Sequence, residues 1–135
     1  METFAIDSIK KFLIKVNLPS VICIYKSNRD VYNCGIDIKK GDIDYLRYIW
    51  DDNNTNKLYM NGLHINNNKY VVVSIEKIND ICYVHAKSNE EGMITVIGTD
   101  YLLFIYYADE YLPMLHSMKL DKIKTHINFF DRLLV

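Results

Sequence analysis

The 135-residue chain has little of what staples or punctuates a small domain: two prolines, five glycines, three cysteines and one tryptophan. Cys23, Cys34 and Cys82 contain no CxxC pair and cannot all be bridged, which excludes a disulfide scaffold or zinc ribbon and points to a reducing compartment. Gly35, Gly41, Gly62, Gly92 and Gly98 stand apart, so no glycine cluster exists to cradle a phosphate. The longest apolar run, Tyr101 to Ala108, is far short of the ~18 residues that a membrane span needs. Asp7, Lys10, Lys11 and Lys15 interrupt the first apolar stretch, which does not read as a signal peptide. The expected location is the cytoplasm. Neither sign of charge prevails: 16 basic residues face 17 acidic ones, for a net charge of −1. That balance removes the positive field of a dedicated nucleic-acid binder, and no nucleic-acid partner is expected.

Catalytic machinery is also missing from the pattern. His64, His85, His116 and His126 have no metal-ligand spacing such as HExxH. Asp52, Asn54 and Asn56 begin like a calcium loop, but Lys57 replaces the glycine of its sharp turn and Leu63 the closing glutamate. No GxSxG elbow is present, and the adjacent His116 and Ser117 are neighbours in sequence, not a nucleophile and base opposed in space. The expectation is a binding module, not an enzyme, without metal or cofactor.

What the chain does have is apolar mass. Half of its residues are hydrophobic and 13% are aromatic. A folded body of this mass exposes roughly 7,300 Å² against roughly 23,000 Å² for the extended chain, enough burial for one core without staples. One domain, 1–135, is expected. Ile, Asn, Lys and Tyr are abundant, as in AT-rich codon usage, so the eleven tyrosines and the run Asn66 to Asn68 are not read as selection for binding.

Periodicity divides the chain into elements. Ile9, Phe12, Leu13 and Val16 form the apolar stripe of a helix ended by Asn17, Leu18 and Pro19. Val21 to Tyr25 and Asp30 to Cys34 read as a hairpin, Gly41 to Trp50 as a short helix, and Asp51 to Lys57 as a loop. Tyr70 to Ile75, Ile81 to His85, Met93 to Ile97 and Tyr101 to Tyr107 are strands whose short polar separators suit an antiparallel meander. Tyr70 to Ile75 is apolar at both alternating sets, which predicts cover on both faces. Ile123, Ile127, Phe130 and Leu134 mark a closing helix. The fold class is α+β.

Asn61-Gly62-Leu63-His64-Ile65 followed by Lys69-Tyr70-Val71-Val72-Val73 resembles the profilin family. The resemblance extends collinearly through the hairpin at Ile24-Tyr25 and Val31-Tyr32, the turn Lys87 to Gly92, the strand Tyr101 to Tyr107 and the helix Lys122 to Leu133. It implies a central antiparallel sheet with N- and C-terminal helices packed on one face and short helices on the other. Gly62 is expected to supply a backbone angle that other residues resist.

By position, the resemblance implies a cytoskeletal regulator that binds monomeric actin through Tyr59, Lys69, Val71, Val72, Ser74, Lys87, His116, Asp121 and Lys122. Ser74 departs from the family, where a basic residue is frequent. The implied polyproline groove retains Phe4, Tyr32 and Phe130. It is eroded: Phe4 and Tyr32 replace tryptophans, Asp7 replaces a tyrosine, and Asp131 stands at an apolar position. Proline-rich partners are therefore expected to bind weakly. Phosphoinositide headgroups are a further implied partner, through Lys10, Lys11, Lys15, Lys119, Lys122 and Lys124. The chain is expected to be monomeric. The alternative is a longin or roadblock type of trafficking or scaffold module with a similar sheet-and-helix layout.

Overall fold

The computed structural model describes residues 2–16, 18, 20–26, 29–33, 38–52, 55–65, 67–99, 101–108, 110 and 119–134. In chain order the elements are α1 (Glu2–Lys15), β1 (Ser20–Lys26), β2 (Arg29–Asn33), α2 (Lys40–Asp52), α3 (Asn56–Asn61) and β3 (Leu63–Ile65). There follow β4 (Asn68–Ile78), β5 (Ile81–Lys87), β6 (Glu91–Ile97), β7 (Tyr101–Ala108) and α4 (Lys119–Leu134). The strands lie in the order β2-β1-β7-β6-β5-β4-β3, every neighbouring pair antiparallel. The early strand β1 thus closes against the late strand β7, with Ser20 opposite Tyr107 and Lys26 opposite Tyr101.

Alternation along β7 divides the core. Tyr101, Leu103, Ile105 and Tyr107 face a cluster containing Ala5, Ile6, Ile9 and Leu13 of α1 and Ile123 and Ile127 of α4. Leu102, Phe104 and Tyr106 face the opposite way, toward Ile43, Leu46 and Ile49 of α2 and Leu58 of α3. The terminal helices therefore share one face of the sheet and the two short helices cover the other, as the resemblance implied. Each fully buried aliphatic side chain contributes about 1.5–3 kcal/mol, so these stripes, more than helix propensity, hold α1 and α4 in place. The accessible surface is 7290 Å².

Two expectations need correction. Asp51 to Lys57 is not a plain loop: α2 continues through Asp52, and α3 begins at Asn56. Leu58 is the one buried side chain of that six-residue helix, too few to produce a helical period. Burial on both faces belongs to β5, β6 and β7, not to β4, where Val71 is 64% exposed and Val73 is 38% exposed. An apolar run cannot itself show which faces are covered.

Turn chemistry fixes the register. Gly62 has φ of 76°, and a Cβ there would lie 2.9 Å from the Tyr70 carbonyl oxygen, which bears out the reading of this turn. Asn79 and Asp80, at φ of 49° and 66°, make the two-residue connection between the paired Ile78 and Ile81. At the two ends of β6, Gly92 leaves room for the Tyr107 ring and Gly98 for the Tyr101 ring; a Cβ at either would come within 2.1 Å of the ring.

Candidate functional site

Cross-strand register assembles one side of the site. Val71 pairs with Lys87, so both side chains leave the same face of the sheet. A bulge at Val73 restores the phase three residues later, placing Ser74 opposite His85 on that face. Val72 pairs with Ala86 and packs, half-buried, against the cluster under α2 and α3. It is thus separated from Val71, Ser74 and Lys87 by the thickness of the sheet. Beneath the exposed residues, His85 Nε2 is hydrogen-bonded to the Tyr107 hydroxyl, with both side chains buried.

The outer edge of β4 supplies the apolar part. β3 pairs with β4 only at Asn68, Lys69 and Tyr70. Beyond that point Tyr59 of α3 reaches across, its hydroxyl accepting a 3.0 Å hydrogen bond from the Ile75 backbone N–H. Tyr59 remains 53% exposed and its neighbour Met60 82% exposed. Lys69 is exposed at the start of the strand. Met60 and Val73 are exposed beside these residues in the chain, which was not foreseen. The hidden helix α3 conceals the first, and the bulge that turns Val73 outward has no sequence period.

α4 closes the other side. Lys124 is 6% exposed, and its Nζ lies 2.6 Å from Glu76 Oε2. The Tyr83 hydroxyl donates to the Lys124 carbonyl at 3.1 Å. These bonds tie α4 to β4 and β5, and they remove Lys124 from the solvated basic surface on which it was expected. Asp121 and Lys122, just before it, are exposed. His116 lies outside the described residues.

At the seam of the terminal helices Phe4 is 59% exposed and Asp7 is exposed. The side chains of Tyr32 and Phe130 lie outside the described residues. Asp131, the acidic departure from the family pattern, has a partner: the buried Tyr101 hydroxyl donates to its Oδ1 at 2.6 Å. Burial and then this bond push the Tyr101 phenol far above the ordinary tyrosine range.

Farther along the seam, the Phe12 and His126 rings stack at 4.2 Å with their planes 8° apart. Ser8 Oγ lies 3.2 Å from His126 Nε2. Burial lowers the His126 pKa, and a hydrogen bond with the Ser8 backbone opposes that shift. Beside the stack is an open cleft of about 480 Å³, lined by Phe12, Asp121, Lys122, Thr125, His126 and Phe129. Nothing in the sequence connected Phe12 and Phe129 with the residues at the start of α4.

Among the described residues, no group of three or more His, Cys, Asp or Glu side chains could hold a metal ion. No helix among them is long and apolar enough to cross a membrane.

Residues 9–128 match the family model described as Profilin. No curated protein matches the chain. Among solved structures, Schizosaccharomyces pombe profilin is similar with a TM-score of 0.67 and 15% identity, over 88% of this chain and 92% of that one. Acanthamoeba castellanii profilin IB gives 0.61 and 15%, over 85% and 88%. Profilin IA of the same organism gives 0.61 and 15%, over 90% and 94%. The family match, with both terminal helices on one face, replaces the longin or roadblock alternative.

Proposed function

Because this chain belongs to the profilin family, whose members are actin-binding proteins without enzymatic activity, we propose that it binds monomeric actin and regulates its polymerisation through the surface formed by β4, β5, α3 and the start of α4. The observation that carries this reading is apolar exposure on β4 and α3, Val71 at 64% and Tyr59 at 53%, with Lys69 of β4 and Lys87 of β5 exposed too, as are Asp121 and Lys122 at the start of α4. Large apolar side chains left in water beside charged ones suit a protein interface, where the apolar centre supplies affinity and the charges supply orientation and encounter rate.

No bond chemistry is needed from this chain. Docking covers a surface through which the actin monomer would join a filament. A preference for the form of actin with an open nucleotide cleft would speed nucleotide exchange by shifting the population. The test adds the protein at tens of micromolar to monomeric actin loaded with a fluorescent nucleotide. Faster release and a larger unpolymerised pool support the reading; no change in either contradicts it.

The proline-rich partner is proposed to bind weakly through the end of the helix seam that holds Phe4. Phenyl at this position lacks the N–H donor of an indole. Each lost hydrogen bond removes roughly 0.5–1.5 kcal/mol, so two or three losses weaken binding by about 10- to 1,000-fold. Calorimetric titration with an oligoproline peptide measures this directly, and tight binding would contradict it.

A further inference from the structure

We infer that Tyr107 and His85 are positioning residues for Lys87: the Tyr107 ring, anchored by His85, walls one side of the lysine and sets its direction before a partner arrives. This rests on the actin reading above. It adds to that reading two side chains, each only 3% exposed, that act on the surface from beneath it.

Register builds the wall. Val71 pairs with Lys87, Lys87 with Gly92, and Gly92 with Tyr107, so the four lie in one row across β4, β5, β6 and β7 and on one face. That is the face packed by α1 and α4, since Tyr107 belongs to their cluster. Lys87 thus has Val71 on one side and, on the other, a residue without a side chain. The gap is filled from one strand farther: a Cβ at Gly92 would lie 2.1 Å from Tyr107 Cζ and 2.2 Å from its hydroxyl oxygen. A ring laid over a strand glycine takes the place of the missing side chain. Its tip therefore ends beside β5, the strand that carries Lys87. There His85, on the same face as Lys87, is hydrogen-bonded through Nε2 to the Tyr107 hydroxyl, with ring centroids 6.0 Å apart and planes tilted by 36°.

The backbone at Lys87 is fixed separately. In the turn that follows, the Ser88 N–H donates to the Glu91 carbonyl at 2.8 Å. From the opposite face the Tyr70 hydroxyl donates to the Glu91 carboxylate. What is left to set is the exposed lysine side chain, one of those with most rotamer freedom to lose on binding. A wall in place before docking reduces that loss and orients the charge.

The test is calorimetric titration of monomeric actin with the full chain, each variant made in two backgrounds, with Lys87 present and with Lys87→Ala. Gly92→Ala forces the Tyr107 ring off its seat without deleting it. His85→Leu removes the anchor, and His85→Gln keeps a hydrogen-bonding group at similar reach. Circular dichroism melts check that each variant folds; should Gly92→Ala fail, the two His85 variants decide. With Lys87 present, Gly92→Ala and His85→Leu should each weaken binding about threefold or more, while His85→Gln stays within about twofold of the parent. In the Lys87→Ala background all three should change binding by less than about twofold. Equal losses in both backgrounds would mean a general effect on the fold, and no loss in either would mean that the ring does not act on Lys87; each result overturns the inference. A second readout needs no actin: in the free protein, the nuclear magnetic resonance signals of the Lys87 methylenes should shift when Gly92→Ala moves the ring. If the parent does not bind actin, the actin reading falls; shifted Lys87 signals would still support the positioning, and unshifted ones would overturn it.

Discussion

Tyr70, Tyr83 and Tyr101 have phenols that burial, the largest cause in each case, pushes far above the ordinary tyrosine range. Hydrogen bonding to Glu91 adds to the effect at Tyr70, and to Asp131 at Tyr101; the Asp131 and Glu76 charges add to it at Tyr83. A group whose folded pKa is raised contributes stability below its unfolded pKa and loses it as pH rises toward the folded value. Stability should therefore decline once pH passes about 10, where the unfolded phenols ionise. Absorbance of tyrosinate followed alongside circular dichroism should show these three ionising only as the fold is lost. His126 acts in the opposite direction. Its lowered folded pKa means the unfolded chain binds the proton first, so stability is present above pH 6.5 and falls as pH drops through the folded value. The ring is only partly buried, so the effect is small; His126→Phe should flatten the slope of melting temperature against pH below 6.5. The sequence could show that tyrosine was abundant, while the division of the β7 tyrosines between two faces is seen in the structure. It could not show that Tyr101 and Tyr107 lie over Gly98 and Gly92, because those partners are set by strand register across a turn.

At the scale of elements, α4 is held by its apolar stripe of Ile123 and Ile127 and is tied to β4 by one buried lysine. Lys124 has no mark in the sequence that separates it from its solvated neighbours, and only the position of β4 shows that it is covered. Removing its counter-charge should strand an ammonium in an apolar setting, so Glu76→Gln is expected to lower stability by about 1–3 kcal/mol, less than for a fully enclosed pair because Glu76 is half exposed. Lys124→Met should be near neutral, since it removes the charge together with its desolvation cost. Urea unfolding of the two variants distinguishes this account from one in which the pair is a dispensable surface contact. The turn before β3 makes a second prediction. Gly62→Ala must place a Cβ near the Tyr70 carbonyl at a positive φ, and it should cost about 1–3 kcal/mol in the same assay. The long elements were legible because several apolar anchors repeat with a clear period: α1 through Ile9, Phe12 and Leu13, and β5 to β7 through uninterrupted runs. α3 was not, having a single buried anchor, and Val71 to Val73 misled because a run of valines reads as buried whichever side is open.

At the scale of the whole molecule, two layers of helices lie on opposite faces of one sheet, and the proposed face is the β4 edge with the start of α4. A net charge of −1 gives no overall field, so attraction must come from the local lysines and should weaken with salt. The candidate face was partly legible. Val71, Ser74 and Lys87 share a face of the sheet once the bulge at Val73 is counted, and Lys69, Asp121 and Lys122 are exposed. Val72 lies on the face opposite Val71, since neighbouring residues in a strand point to opposite faces, and the cleft at Phe12 and Phe129 depends on a contact between the two ends of the chain. The most direct test of the central claim is sedimentation of polymerising actin with the parent protein and with Val71→Asp. The account predicts that the parent retains actin in the supernatant in proportion to its concentration, and that Val71→Asp loses about tenfold or more of this effect. Identical pellets with and without the parent protein would contradict it.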